Sequence, residues 1–348
     1  MPNSFAKNII PWYKNHYRDL PWRQTKDPYK IWLSEIILQQ TRVAQGLPYY
    51  LNFVEQYPTV FELARASEDE VLRMWQGLGY YSRARNLHAC AKMVVEEYQG
   101  KFPDTYEALQ QLKGVGKYTA AAIASFAFKR VVPVVDGNVF RVLSRYLLIN
   151  NDIADPKNFK IFFNASEKLI AKENPDLYNQ AIMELGATIC SVSKPACLIC
   201  PVTDTCMARE KGAQNELPVK KKKVKVRNRF FYYLVIEKND KLLMGKRGPK
   251  DIWQGLFDFP LIERDRLLNE EEIAQAVHEF MGSEKSTYFE VSDSIKHVLT
   301  HQRLQAFFIT LKTDEPITLT DYDWHTKAAI ETLPKPILVD KYLKETYN

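Results

Sequence analysis

The sequence predicts a multidomain fold, an all-α N-terminal half followed by an α+β C-terminal half, and three observations carry that prediction. At 348 residues the chain exceeds the roughly 250–300 residues at which one hydrophobic core stops growing. From Ser4 to about Arg209 apolar residues recur at three- and four-residue spacing, with loops marked by Pro, Gly and Asp. Beyond Arg229 the pattern changes to short β-branched and aromatic runs. The boundaries read from these changes are a helical domain over 1–212, a basic linker over 213–229 and an α+β domain over 230–348.

In the first half, helical runs are read at Tyr29–Val43, at Glu68–Met74, and at Leu87–Tyr98, the last stopped by Gly100. In the second, FFYYLVIEK, a turn at Asn239–Asp240 and KLLMGKR predict a hairpin. GLFDFPLIE and LQAFFITL read as further strands, separated by the helical segment EEEIAQAVHEFMG. The linker interrupts all periodicity with Pro218 and a lysine run, as a solvated tether does, and the same run offers phosphate contacts.

Hydrophobic residues make up 46% and charged ones 26%, ordinary globular values, and no apolar stretch approaches the roughly 18 residues of a membrane span. The N-terminal MPNSFAKNIIPWYKNH lacks the features of a secretory signal, so an intracellular, cytoplasmic chain with no membrane partner is expected, and a monomer. The formal charge of +6 says little about a nucleic-acid ligand. Residues 220–229 hold seven cations and no acid, and without them 41 cations face 42 anions.

Four of the five cysteines fall within seventeen residues: Cys190, Cys197, Cys200 and Cys206, in the spacing C-x6-C-x2-C-x5-C after the helical segment YNQAIMELGATIC. In a reducing compartment this points to a metal site before disulfides. A structural zinc site usually has two short-spaced pairs and a ferredoxin spacing is tighter, so four-thiolate iron–sulfur ligation and zinc both stay open on spacing alone. Cys90, in LHACAKMVVEEY, reads as a buried small hydrophobe.

Three further stretches suggest chemistry. LKGVGKYTA places Gly114 and Gly116 two apart between helices, a turn whose amides, with Lys117, can approach a phosphate closely. Asp136 of VDGNV stands where it can cap the helix that follows or project from its N-terminus. Glu35 of IWLSEIILQQT has Trp32 and Leu38 at helical spacing, which would desolvate it, favour its protonated form and suit a general acid.

The cysteine loop, GVGKYTA, VDGNV and LSE together resemble the helix-hairpin-helix glycosylases, and within them the MutY-type adenine glycosylases with a Nudix-like C-terminal domain. The resemblance implies one 4Fe–4S cluster on the four cysteines, stapling a loop that presents Lys194 to DNA. It implies release of adenine paired with 8-oxoguanine or guanine in double-stranded DNA, the adenine being flipped out of the stack. Glu35 would protonate N7 and assist the water, and Asp136 would stabilise the sugar cation. Lyases of the superfamily carry a lysine where Tyr118 stands, and Phe140 stands where some members have a product-trapping lysine. A phenol forms no imine, so a monofunctional enzyme is predicted, with Tyr118 hydrogen-bonded to Asp136. Arg18, Leu20, Trp22 and Glu184 are implied for the adenine pocket, Asn138 for substrate binding, and Gln40, Thr41 and Tyr80 beside the orphaned base. Lys296–His301 matches the loop that reads 8-oxoguanine, usually ending Phe-Ser-His; Leu299 and Thr300 replace the first two, keeping a hydroxyl at Thr300 beside His301. The acidic box of Nudix hydrolases is absent from the sequence. Two other readings stand beside it, a strand-nicking pyrimidine glycosylase and a catalytically silent lesion-binding or electron-transfer module that uses the cluster and the hairpin. Tyr118 opposes the first, and the two carboxylates oppose the second.

Overall fold

The structure, a computed structural model, describes residues 2–221, 226–249, 251–282, 289–313, 317 and 319–347. Its contacts divide it into two compact units that are not collinear with the sequence: Met1–Arg65 with Asn86–Lys222, and Ala66–Arg85 with Lys223–Asn348. Among the described residues no helix is long and apolar enough to cross a membrane. Of the basic linker, Lys220 and Lys221 are exposed, while Lys222, Lys223 and Lys225 lie outside the described residues.

The helices run in order α1 (Pro2–His16), α2 (Pro28–Ile37), α3 (Val43–Gln56), α4 (Val60–Arg65), α5 (Glu68–Met74), α6 (Ser82–Tyr98), α7 (Tyr106–Leu109), α8 (Lys117–Phe128), α9 (Gly137–Tyr146), α10 (Phe159–Leu169), α11 (Pro175–Thr188) and α12 (Met207–Glu210). The core of the first unit gathers Phe5, Ile9 and Tyr13 of α1, Val139, Val142 and Leu143 of α9, Phe162 of α10 and Tyr178 and Ile182 of α11. Each such side chain contributes about 1.5–3 kcal/mol on full burial. Cys190, Cys200 and Cys206 pack against this cluster, so the cysteine loop rests on the same core that fixes α9.

The run Tyr29–Val43 is not one helix. It breaks after Ile37, Gln40 takes a left-handed φ of 56°, and α3 starts at Val43. Spacing alone cannot register a single left-handed residue, because the apolar positions on either side still face the core. Buried Gly46 explains how tightly the turn closes: a Cβ there would lie 2.8 Å from Leu38 Cδ2. The run Glu68–Met74 coincides with α5, opened by a Ser67–Glu70 capping box. Helix α6 ends as expected, with Gln99 and Gly100 at φ 55° and 79°.

Among the described residues the second unit holds an eight-stranded sheet of β1 (Arg227–Lys238), β2 (Lys241–Lys246), β3 (Phe257–Asp258), β4 (Leu261–Arg264), β5 (Phe289–Val291), β6 (Ile295–Val298), β7 (Gln302–Lys312) and β8 (Tyr322–Thr326). Helix α13 (Glu270–Met281) follows β4, and α14 (Lys327–Thr332) and α15 (Ile337–Tyr347) close the chain. The predicted hairpin is present: Asn239 and Asp240 both take positive φ, and Glu237 pairs with Leu242. Strand β1 runs parallel to β7 along its length and is buried on both faces, hence its unbroken apolar run. Tyr232 joins the core with Ile273 and Val277 of α13, while Tyr233 packs with Phe308, whose ring stacks at 3.8 Å on Tyr342 of α15. The segment Ala66–Arg85 is tied to this sheet by Lys246 to Asp69 (2.6 Å), by Arg85 to the Gln254 carbonyl (2.7 Å) and by the Lys335 amide to Gln76 Oε1 (3.2 Å).

Candidate active site

A pocket of about 530 Å³ opens in the helical unit, within the ~300–1,000 Å³ range of ligand sites. Nine residues singled out in the sequence line it together: Glu35 and Thr41 from α2 and its following turn, Tyr118 from α8, Asp136 and Asn138 at the start of α9, Arg18, Leu20 and Trp22 before α2, and Glu184 from α11. Gln40 is exposed and is not among the lining residues.

Glu35 is 7% exposed. Burial, aided by the nearby Asp136 charge and opposed by a Tyr118 hydrogen bond, pushes its carboxyl up to about 7. Tyr118 donates its hydroxyl to Glu35 Oε2 at 2.5 Å. This corrects the expected bond to Asp136, whose oxygens bond within the first turn of α9 instead. Asp136 Oδ1 accepts from the Val139 amide at 2.7 Å as the N-cap of α9, and its Oδ2 accepts from Asn138 Nδ2 at 2.8 Å. Capping and projection into the pocket are therefore one geometry. Burial raises the Asp136 pKa against these bonds, and burial with the two carboxylates raises the Tyr118 phenol well above its ordinary value.

Glu184 is fully buried, and both of its oxygens are held by arginines. Arg18 reaches it through Nε and Nη2, each at 2.7 Å, and Arg23 through Nη2 at 2.6 Å. Burial opposes ionisation there, but the arginine bonds outweigh it and hold the carboxyl below its usual range.

Gly114 has φ 74°, and a Cβ there would lie 2.7 Å from Asn86 Cβ, so the turn before α8 admits only glycine without strain. Gly116 caps α8 without a side-chain bond and a Cβ there would meet nothing within 4 Å, so packing does not demand that glycine. Lys117 is exposed, its Nζ 5.3 Å from the Phe159 ring centroid.

The four cysteines line one cavity of about 30 Å³ in the same unit. Burial first, opposed by a bond from the Val202 amide and aided by the other three cysteines, raises the Cys200 thiol to about 11. Among the described residues no group of three or more His, Cys, Asp or Glu is placed to hold a metal ion. Two arginines of α9 clamp the loop. Arg145, 2% exposed, donates to Cys190 Sγ (3.3 Å) and to the Ser191 and Val192 carbonyls. Arg141 donates to the Cys190 carbonyl (2.7 Å) and to Asn138 Oδ1 (2.9 Å). A continuous chain of hydrogen bonds thus runs from Cys190 through Arg141 and Asn138 to Asp136. Lys194 is exposed on this loop.

In the sheet unit a second pocket, about 430 Å³, is lined by Tyr80, Thr300 and His301 among others. Tyr80 and Thr300 are hydrogen-bonded through their hydroxyls. Leu299 and Gln302 pair across the turn, so the loop is the tip of a β6–β7 hairpin. The pocket's other wall carries Trp253 and His297, their rings 6.0 Å apart. Half-buried Arg247 holds that wall: it bonds Asp258 at 2.6 Å and also Asp251, which caps the Trp253 amide at 2.8 Å.

Comparison with known proteins identifies the family. Residues 33–168 match the HhH-GPD superfamily of base excision DNA repair proteins, and residues 231–345 match the NUDIX domain. The adenine DNA glycosylase of Buchnera aphidicola from Acyrthosiphon pisum is 37% identical over 257 residues, covering 74% of this chain and 73% of the relative. The chain belongs to the adenine DNA glycosylases. The human adenine DNA glycosylase is 32% identical over 400 residues, covering 96% of this chain and 73% of its own. Among solved structures, a thermostable thymine-DNA glycosylase superposes with a TM-score of 0.55 at 31% identity, over 60% of this chain and 95% of its own. As an adenine DNA glycosylase family member the chain is a DNA glycosylase of base excision repair, an enzyme cleaving N-glycosidic bonds.

Sequence reasoning missed Arg23, Arg141, Arg145 and Trp253. Arg141 and Arg145 could have been found as paired arginines at i, i+4 inside the apolar pattern NVFRVLSRYL, where a bland surface role is implausible. Arg23 and Trp253 carry no comparable local signal.

Proposed function

We propose that this chain hydrolyses the N-glycosidic bond of adenine mispaired with 8-oxoguanine, or with guanine, in duplex DNA, and that it does so without nicking the strand. The observation that carries the reading is the pairing of unlike carboxylates in one pocket. Glu35, hydrogen-bonded by the neutral Tyr118 phenol and raised by burial to a pKa of about 7, is substantially protonated at neutral pH. Asp136 accepts two hydrogen bonds that favour its charged form. Glu35 gives its proton to the departing base, Asp136 stabilises the cationic sugar, and a water activated by the resulting Glu35 carboxylate completes the hydrolysis. Tyr118 steadies Glu35 and, being a phenol, forms no imine with C1′.

The adenine enters flipped, against Arg18, Leu20, Trp22 and Asn138, with Glu184 pinned by Arg18 and Arg23 as a fixed acceptor in the wall. Gly114, Gly116 and Lys117 present the uncapped start of α8 to a DNA phosphate, and the room above Gly116 is what such an approach needs. Within the sheet unit, Tyr80, Thr300 and His301 read the 8-oxoguanine; within the helical unit, Gln40 and Thr41 probe the duplex beside the flipped adenine. The sheet unit keeps the Nudix fold for recognition, because the acidic box of the hydrolases is missing. The chain acts as a monomer.

Cys190, Cys197, Cys200 and Cys206 hold one 4Fe–4S cluster. A single ion needs ligands converging on one point, whereas a cluster takes one thiolate at each of four separate irons, which suits four sulfurs lining a shared cavity. When bound, the cluster staples the loop; Arg145 and Arg141 transmit that fixed position to α9 and Asn138.

The test is single-turnover base release from duplexes carrying A opposite 8-oxoguanine, A opposite G, and thymine glycol opposite A, each analysed with and without alkali. Rapid release from the first, slower from the second, cleaved only after alkali, is expected. Cleavage of the third without alkali would place the chain among the lyases instead.

A further inference from the structure

A cavity of about 280 Å³ in the sheet unit is walled by α5, β2, α14 and α15, and no step of the glycosylase reaction uses its residues. Four cations line it: Arg73, Lys327, Lys335 and Lys344. Two carboxylates, Glu331 and Asp340, share the lining. Asp340 is already committed, bonded to Lys344 Nζ at 2.8 Å and 3.8 Å from Lys335 Nζ. Lys335 is 2% exposed, and its ammonium is held by the Ile330 and Leu333 carbonyls at 2.5 and 3.0 Å. Burial, and next the like charge of Arg73, push this lysine down to about 8. Gathering cations until they repel is costly in a partly desolvated site, and an anion in the cavity relieves that cost. Lys327 lies 4.7 Å from the Tyr347 ring centroid, which leaves one aromatic wall beside the charges. The volume is several times that of a water, whose share of the liquid is about 30 Å³.

We propose that this cavity binds a phosphoryl-bearing anion, engaged by the exposed Arg73, Lys327 and Lys344 above a floor fixed by Lys335. Arginine and lysine together suit phosphate oxygens, the one as a fork and the other as a point charge. The phosphoryl group is supplied either by a free phosphorylated small molecule or by the DNA backbone, and the same chemistry recognises both.

The test uses the full chain and the double variant Arg73→Gln/Lys327→Gln, both positions being solvent-accessible; Lys335 is left intact because its removal would empty the core beneath it. Inorganic pyrophosphate is titrated calorimetrically at fixed ionic strength, and duplex affinity is measured at several salt concentrations. Adenine release at saturating duplex is expected to be unchanged in the variant. Saturable pyrophosphate binding that weakens at least about tenfold in the variant, with duplex affinity unaltered, supports a free ligand. Weaker duplex binding with a salt slope shallower by about one to two supports backbone contact. If neither pyrophosphate nor duplex distinguishes the variant from the wild type, the site does not exist.

Discussion

Glu35 in the helical unit and Asp258 in the sheet unit are both buried, and burial pushes both up to about 7. Each also has a tyrosine phenol beside it, Tyr118 for Glu35 and Tyr233 for Asp258, but they differ in access and in charged partner. Glu35 lines a pocket of about 530 Å³ and receives a neutral phenol. Asp258 belongs to β3 and is bonded at 2.6 Å to a half-buried arginine that also holds Asp251. A raised carboxyl is thus not by itself a mark of catalysis. What separates an acid from a structural anchor is access to a substrate and freedom from a committed cation.

Substitution should split the two cleanly, and the largest effect is on base release. Glu35→Gln is expected to lower single-turnover adenine release by about 10³-fold or more while leaving duplex binding largely intact. Asp258→Asn should change the rate little. Stability should respond in the opposite order. Both carboxyls have folded pKa values above their unfolded ones, so each contributes most below the unfolded value and loses that contribution as pH rises towards 7. Glu35→Gln removes this penalty and keeps an acceptor for Tyr118, so it should stabilise the protein at pH 8 by on the order of 2 kcal/mol, with no gain at pH 4. Asp258→Asn also removes a titration but strips the charge opposite Arg247, and a net loss of about 3 kcal/mol is expected in chemical denaturation. Comparable losses of stability in both variants would erase the distinction.

The next effect concerns the support of the other pocket carboxylate, Asp136. Arg141→Met cuts the link between the Cys190 carbonyl and Asn138, and base release should fall by roughly 10²-fold through misplacement of Asp136. An unaltered rate would show that the N-cap alone positions it. Tyr118→Phe should cost about tenfold and should also move the alkaline limb of the pH profile upward, since the lost bond is one that lowers the Glu35 pKa. A limb that stays in place would mean the phenol does not reach Glu35 during catalysis. Smallest is Thr300→Ala, which deprives Tyr80 of its partner; the preference for 8-oxoguanine over guanine opposite adenine should shrink by about three- to tenfold.

Much of this was legible in the chain. Apolar neighbours at helical spacing foretold that Glu35 would be desolvated, Asn239–Asp240 foretold the hairpin, and VDGNV foretold the helix start at Gly137. The misses share a cause: they depend on which distant elements meet. Nothing local to Tyr118 says which of two carboxylates its hydroxyl will face. The break at Gln40 is one residue's left-handed φ inside an unbroken apolar pattern. Ala66–Arg85 has no compositional mark that would join it to residues more than a hundred positions later; its ties are single polar contacts such as Lys246 to Asp69.

The most direct measurement is the pH dependence of single-turnover adenine release opposite 8-oxoguanine, run on the wild type and on Asp258→Asn from pH 5 to 9. If Glu35 is the acid, both proteins lose rate as pH rises through about 7, tending to tenfold per pH step beyond it. A profile flat to pH 9, or an alkaline limb that vanishes with Asp258→Asn, would contradict the assignment of Glu35 as the proton donor.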